Sequence, residues 1–148
     1  MGHTQRHSGM RTVLSNLYVQ PMTIDGLTFR TVEHYLQYRK ILLAHPALAR
    51  ATFPVESGHT IALGDGFAAQ RARRIAILSK AQLDQWESKE RLEAKTTARR
   101  AKFTPGTAAH AVLLATHNAE LWSYAPRHPQ IRMTRVEALR DQLARPAK

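Results

Sequence analysis

The segment between residues 14 and 40 constrains the fold more tightly than any other part of the chain. Two short runs with apolar residues, 19–24 and 27–29, flank an Asp25-Gly26 pair. Asp-Gly readily adopts the positive φ angles of a type I′ turn, so the segment predicts a small hairpin. Thr31 then offers a side-chain cap to a following helix, in which apolar residues recur at helical spacing.

Three polar residues of that helix share one face. Glu33, Gln37 and Lys40 are four and three residues apart, which places them in a row. Such a row is often a solvated helix surface, but it also presents an acid, an amide and a base together. Glu33 lies in the first turn, where the helix dipole favours an ionised carboxylate. This position favours a base or charge-stabilising role over that of a general acid.

Helical patterns dominate the rest of the chain, and no internal repeat is present. Thr104 and Pro105 resemble an N-cap followed by proline at the first helical position. The expected fold class is mainly α, with one small N-terminal β-hairpin. Further helices are predicted over residues 47–52, 68–77, 83–102, 104–115 and 133–143.

The length of 148 residues suits one domain. Residues 1–10 lack an apolar pattern and are interpreted as a disordered leader or cloning remnant, with a single domain over 11–148. No stretch approaches a membrane span or a secretory signal, so a cytoplasmic protein without membrane contact is expected. Without cysteine, and with eight histidines that lack ligand spacing, neither a metal site nor a cofactor is expected. The oligomeric state is not determined by these patterns.

The formal net charge of +11 is large for so short a chain. Between residues 71 and 102 there are ten basic residues against four acidic ones. The surplus favours a phosphate-bearing partner such as a nucleotide or nucleic acid, although a solubilising basic surface would have the same composition. The candidate nucleic-acid-binding residues are Arg71, Arg73, Arg74, Arg99 and Arg100.

An ordered set of motifs runs along the chain. It begins with Ser15-Asn16-Leu17-Tyr18, Asp25-Gly26, Thr31-Val32-Glu33-His34-Tyr35, Gln37 and Lys40. It continues through Gln85-Trp86-Glu87-Ser88, the run from Arg99 to Phe103, Leu113-Leu114-Ala115-Thr116 and Ala119-Glu120-Leu121. In these motifs the chain resembles the NADAR (YbiA-like) family of N-glycosidases. The resemblance implies a YbiA-like helical domain that cleaves the bond between ribose and a nitrogen base.

One part of the family pattern is missing. Family members carry an acid, an Asp, a Trp-Gly pair and a glycine-rich loop after the Ala-Glu-Leu block. Here Ser123 stands near the place of the acid and His128 near that of the Asp, while the Trp-Gly pair and the loop are absent. His128 is either a replacement proton carrier or an inert loop residue.

The resemblance implies roles for individual residues. Glu33, Lys40 and Lys102 are the candidate catalytic residues: Glu33 would stabilise an oxocarbenium-like state or activate water, and the lysines would hold phosphate or form an imine with the opened ribose. The candidate substrate-binding residues are Ser15, Asn16, His34, Gln37, Trp86 and His128. For Trp86 the core is the ordinary alternative, and its proposed role is a stacking face.

Three functions follow from these observations. The first is removal of ADP-ribose from guanine in nucleosides or nucleic acid, which the basic surplus favours. The second is hydrolysis of phosphorylated ribosylamino pyrimidine intermediates of riboflavin synthesis. The third is a binding protein that has kept the fold, lost catalysis, and binds nucleic acid or an acidic protein partner. In the first two, the partner is a phosphorylated, ribose-containing substrate.

Overall fold

A computed structural model describes residues 13–123 and 131–145. Its contacts divide the chain into two compact units, one holding residues 16–102 and the other the described residues before 16 and after 102. The assignment of 11–148 to one domain remains a prediction. In the described part of the chain, no helix is long and apolar enough to cross a membrane.

The larger unit begins with the expected hairpin. Strand β1, Met22–Ile24, pairs antiparallel with β2, Leu27–Phe29. Asp25 and Gly26 have φ angles of 51° and 81°, as a type I′ turn requires, which confirms the turn predicted from the sequence.

Helix α1, Val32–Ala44, is the central element of this unit. The Thr31 hydroxyl accepts a hydrogen bond from the backbone amide of His34 at 3.1 Å, so the predicted cap is confirmed. The helix is buried on more than the expected apolar stripe, because His34 and Gln37 are buried as well as Tyr35 and its apolar neighbours. The simple division into one buried and one solvated face is therefore wrong for α1.

The next elements of the larger unit are short. They are α2, Pro46–Thr52; a 3₁₀ turn, Val55–Ser57; α3, Gly66–Arg71; and a second 3₁₀ turn, Ala72–Arg74. Asp65 caps α3 by accepting from the Ala68 amide at 2.9 Å, which starts the helix earlier than the predicted residue 68. The backbone tightens into the 3₁₀ turn before residue 77, so the predicted helix over 68–77 is too long.

Gly66 marks a close approach between α3 and the segment before the hairpin. A Cβ at this position would lie 2.5 Å from Leu17 Cα and 2.7 Å from Leu17 O. Both neighbours are backbone atoms that cannot rotate away, so only glycine fits without a backbone shift.

A long helical stretch closes the larger unit. It consists of α4, Lys80–Gln85, a π-helical turn, Trp86–Glu90, and α5, Arg91–Lys102. The helix starts before the predicted residue 83 because Ser79 and Gln82 form a reciprocal capping box. Glu90, at the end of the π turn, pairs with Arg39 of α1 at 2.8 Å.

The core of the larger unit lies between α1, the hairpin and the long helical stretch. Its fully buried aromatic residues are Phe29 and Phe53. The Phe29 ring packs edge-on against Tyr35, with ring centroids 5.1 Å apart. Ala94 and Ala98 let α5 contribute to this core with small side chains.

The second unit has its own core around Phe103, Leu113 and Val136. Its elements are α6, Ala108–Ala115; β3, Trp122–Ser123; β4, Ile131–Arg132; and α7, Thr134–Leu143. Strands β3 and β4 pair antiparallel and were not predicted from the sequence. The predicted cap at Thr104 is wrong, because Gly106 has a φ of 95° and Thr107 caps α6 instead.

Candidate functional site

Glu33 and Gln37, which the spacing places on one face of α1, form a hydrogen-bonded pair. The Gln37 amide nitrogen donates to Glu33 Oε1 at 2.8 Å, and the Glu33 carboxylate is half-buried. The backbone amide of Glu33 donates to the carbonyl of Asn16 at 3.0 Å. The start of α1 is thereby joined to the segment 15–18, which carries the first motif of the family resemblance.

Gln37 is not part of a solvated surface. Only 9% of it is exposed, and its Oε1 is buried without a hydrogen-bond partner among the described residues. The amide orientation is fixed by chemistry, since an ionised carboxylate can only accept and must face the NH₂ group. An unpaired buried acceptor costs about 1–3 kcal/mol, so the fold tolerates a penalty at this position.

A row of cations on α5 includes one residue that interacts electrostatically with Glu33. Lys95, Arg99 and Lys102 are four and three residues apart and therefore share a helix face. Lys95 is half-buried, and burial, with the charges of Arg91 and Arg99, lowers its pKa, while the Glu33 carboxylate acts in the opposite direction. Lys95 is thus one cation that interacts electrostatically with Glu33.

Lys102 is the most deeply buried cation of this row. Only 1% of it is exposed, and its ammonium lies 5.7 Å from the centre of the Tyr18 ring. Burial first, and the Arg99 charge second, lower the pKa of Lys102 from 10.5 to about 7. Its carbonyl accepts from Gln20 Nε2 at 2.6 Å, which fixes the end of α5 against the segment carrying Tyr18.

His34 serves the core and is not brought to this site. Its ring is fully buried, with Nδ1 2.7 Å from the Thr31 hydroxyl and Nε2 2.8 Å from the Ile61 carbonyl. Because a carbonyl only accepts, Nε2 carries the proton and Nδ1 accepts from Thr31. Burial lowers the pKa of His34, which keeps the ring neutral in this environment. No ring nitrogen is left for a ligand.

Trp86 is likewise a core residue. It is 5% exposed and packs within the cluster that includes Ala94 and Ala98, so its ring offers no open stacking face. The ordinary alternative considered for this tryptophan describes it better than the substrate-binding role.

The remaining predicted site residues are placed as follows. Lys40 is half-buried and makes no hydrogen bond or ion pair with a described side chain. Asn16 is half-buried and contacts Glu33 through its backbone. Ser15 is half-buried and falls in the second unit, and His128 lies outside the described residues.

The predicted nucleic-acid-binding arginines do not form one set. Arg71, Arg73 and Arg74 are exposed at the end of α3 and in the following 3₁₀ turn. Arg99 belongs to the cation row, half-buried between Lys95 and Lys102, and Arg100 is exposed on α5.

Two residues of the site were missed by sequence reasoning. Lys95 could have been found from its spacing to Arg99 and Lys102, which repeats that of the polar row on α1. Tyr18 belongs to the first motif of the family resemblance, but only the structure shows that its ring faces the Lys102 ammonium. Within residues 13–123 and 131–145, no group of three or more histidine or acidic side chains could hold a metal ion.

These elements define a mainly α protein whose larger unit carries a carboxylate–amide pair and a row of cations, of which Lys95 interacts with the carboxylate. A scan against protein-family models and a search of curated proteins found no match. Among solved structures, the chain is similar to the NMR structure of the E. coli protein YbiA, with 27% sequence identity and a TM-score of 0.65. The match covers 97% of this chain and 83% of that one. The fold is therefore YbiA-like, and the mainly α class predicted from the sequence is confirmed.

Proposed function

We propose that the protein is an N-glycosidase that removes ADP-ribose from guanine in nucleosides or nucleic acid. The observation that carries the proposal is the half-buried Glu33 carboxylate, held by Gln37 and within electrostatic reach of Lys95. The YbiA-like fold and the resemblance to NADAR N-glycosidases support the same class of reaction.

Cleavage of the bond between the anomeric carbon and nitrogen builds positive charge on the ribose. A carboxylate beside that carbon lowers the energy of the oxocarbenium-like state. Water then adds to the carbon, and the departing base takes a proton. Glu33 fits this role because the hydrogen bond from Gln37 engages Oε1 and leaves Oε2 for the substrate.

The cation row supports a substrate that carries phosphate. Like charges at helical spacings of three and four repel each other, and an anion bound along the row would offset that repulsion. Lys95 and Arg99 are half-buried, so such an anion would be partly shielded from water and salt.

Lys40 and Lys102 suit different roles. Lys40 is more exposed than Lys102 and makes no polar contact with a described side chain. Its ammonium is therefore accessible to a phosphate of the substrate. Lys102 is buried, and its pKa of about 7 leaves much of the amine neutral at physiological pH. A neutral amine can add to the aldehyde carbon of the opened ribose and lose water to form an imine, which water later hydrolyses.

The decisive experiment offers three substrates to the protein: ADP-ribosylated guanosine, ADP-ribosylated DNA, and a ribosylamino pyrimidine phosphate. Free base or released ribose is followed by chromatography. The proposal is supported if the wild-type protein releases base or ribose from the guanine substrates and the Glu33→Gln variant does not. The melting temperature of the variant should be unchanged. Release from the pyrimidine substrate alone would favour the metabolic alternative. Full activity of Glu33→Gln would remove this carboxylate from the mechanism.

A further inference from the structure

A second surface of the larger unit lies on α3 and the turn after it. An open groove of about 310 Å³ is lined by Thr60, Ile61, Ala68, Arg71, Ala72 and Ile75. None of these residues belongs to the site around Glu33. The groove is lined mainly by apolar side chains, with the Arg71 guanidinium as its charged group.

Large apolar side chains are exposed along the same stretch of chain. Leu63 is 48% exposed, Phe67 55% and Ile77 92%. Phe67 precedes Arg71 by four residues, so the two side chains share one face of α3. Several exposed apolar side chains within fifteen residues are unusual for a surface that faces only water, and they indicate a contact region.

The charge of this region is one-sided. Arg71, Arg73 and Arg74 form no ion pair with any acidic residue in the described part of the chain. Asp65, the acid that precedes α3, accepts from the helix amide of Ala68. The arginines therefore remain available to an anionic partner, unlike Arg91 and Lys89 on the long helical stretch, which pair with neighbouring glutamates.

We infer that this surface binds single-stranded nucleic acid, with a base against Phe67 and the groove and the backbone phosphates on Arg71, Arg73 and Arg74. An aromatic face combined with a basic track is how proteins bind single strands without reading sequence. An aliphatic groove and a flat ring suit an unstacked base, whereas duplex DNA would offer phosphates alone to the arginines. The inference rests on the proposed nucleic-acid substrate, and it adds that the polymer is bound as a single strand.

The test measures binding of a short fluorescein-labelled single-stranded DNA by anisotropy, with the matching duplex in parallel. Phe67→Ala should weaken single-strand binding about tenfold and leave duplex binding nearly unchanged, since it removes stacking and keeps the charges. Arg71→Gln should weaken both. Leu92→Ala, which truncates an exposed apolar residue on α5, and Arg50→Gln on α2 are the matched controls and should change neither.

Two outcomes would overturn the inference. Equal affinity for single strand and duplex, unaffected by Phe67→Ala, would mean that charge alone attracts the polymer. If a Glu-rich peptide binds more tightly than DNA, and Phe67→Ala abolishes that binding, the partner of this surface is a protein.

Cleavage of ADP-ribosylated guanosine, a substrate without polymer, is measured on the same variants and should not change. If the wild-type protein cleaves nothing but binds single strands through Phe67, the proposed activity fails while this surface stands.

Discussion

Burial of the Lys102 amine has a cost to the stability of the fold. Its pKa in the folded protein is about 7, against an ordinary 10.5, because burial disfavours the ammonium. Between these values the unfolded chain binds more protons than the folded one, so the folded state gains stability as pH rises through this window. At neutral pH the buried amine therefore opposes folding.

We predict that Lys102→Met raises the melting temperature at pH 7 and abolishes turnover. A relief of about 1 kcal/mol corresponds to roughly 2–5 °C for a chain of this size. Melting curves at pH 7 and pH 10 check the cause, since the wild-type protein should gain stability relative to the variant at the higher pH. Lys95 is less buried than Lys102, so Lys95→Met should raise the melting temperature by less. A variant that is less stable than the wild type at pH 7 would contradict the argument.

Gln37 allows a similar separation of activity from stability. We predict that Gln37→Met lowers kcat by about tenfold or more with little change in KM, because Glu33 loses the donor that holds it. Stability should not fall, since the change also removes the unpaired buried Oε1. Enzyme kinetics and thermal melts measure the two effects, with the exposed Gln70→Met as control.

A fall in stability that matches the loss of activity would instead make Gln37 a structural residue. Unchanged kcat would remove it from the positioning of Glu33 altogether.

His34 makes the fold sensitive to acid. Burial lowers its pKa in the folded protein below the ordinary 6.5, so the unfolded chain binds the proton more readily. Above about pH 6.5 this histidine imposes no penalty on the stability of the fold, and the free energy of unfolding declines as pH falls below that value. We predict that His34→Gln, although less stable overall, flattens this decline in melts from pH 7.5 to pH 5. His117 is an exposed histidine with a φ of 49°, a conformation that asparagine tolerates. The control variant His117→Asn should show the same decline in stability with falling pH as the wild type.

At the scale of single residues, spacing predicted that Glu33 and Gln37 share a helix face, but neither their hydrogen bond nor the surroundings of other polar side chains. His34 and Trp86 occupy conspicuous positions in the resemblance, yet both are buried in the larger unit. Periodicity shows that residues share a face. It does not show whether that face meets a ligand or another element, which depends on contacts with distant segments such as the Ile61 carbonyl.

At the scale of elements, local chemistry determined the helix boundaries. The Ser79 and Gln82 side chains each bond the other's backbone amide, at 3.1 and 2.9 Å, and Gln82 also donates to the Leu43 carbonyl at 2.9 Å. The spacing of a serine and a glutamine three residues later was readable in the sequence. The π turn at Trp86–Glu90 was not, because no residue type marks it.

We predict that Ser79→Ala lowers the free energy of unfolding by about 1 kcal/mol, the usual value of a lost N-cap. Lys80→Ala, one residue further along and also exposed, should be nearly neutral. Chemical denaturation of both variants gives the comparison. Equal stability of the two variants would mean that the capping box contributes nothing beyond helix propensity.

At the scale of the whole molecule, the net charge of +11 makes any polymer interaction dependent on salt. We predict that affinity for unmodified DNA is weak and falls steeply with salt, each phosphate contact adding roughly 0.7 to 0.9 to the slope of log affinity against log salt. Reversing Arg73 and Arg74 to Glu should flatten the slope without changing cleavage of ADP-ribosylated guanosine. A salt-independent affinity would leave the basic residues as a solubilising surface.

The mainly α class and the hairpin were predictable because they depend on short-range patterns such as Asp25-Gly26 and the Thr31 cap. The second hairpin of β3 and β4 was missed, since two-residue strands carry too little alternation to be recognised. The division into two compact units was not predicted, although its boundary after residue 102 coincides with the predicted end of a helix.

The close approach at Gly66 fixes the start of α3 against the segment before the hairpin, so α3 acts as a spacer of constant length. Its first residue touches the backbone of Leu17, next to the tyrosine that covers the Lys102 amine, and Arg71 stands five residues further along the helix. Five residues of α-helix span about 7.5 Å, and a helix this short does not stretch. A strand gripped by Arg71 would therefore be held at a set distance from Tyr18, whatever its sequence. This distance would then set how many nucleotides separate the phosphate held by Arg71 from the modified guanine at the site, and inserting one helical turn into α3 would change that number.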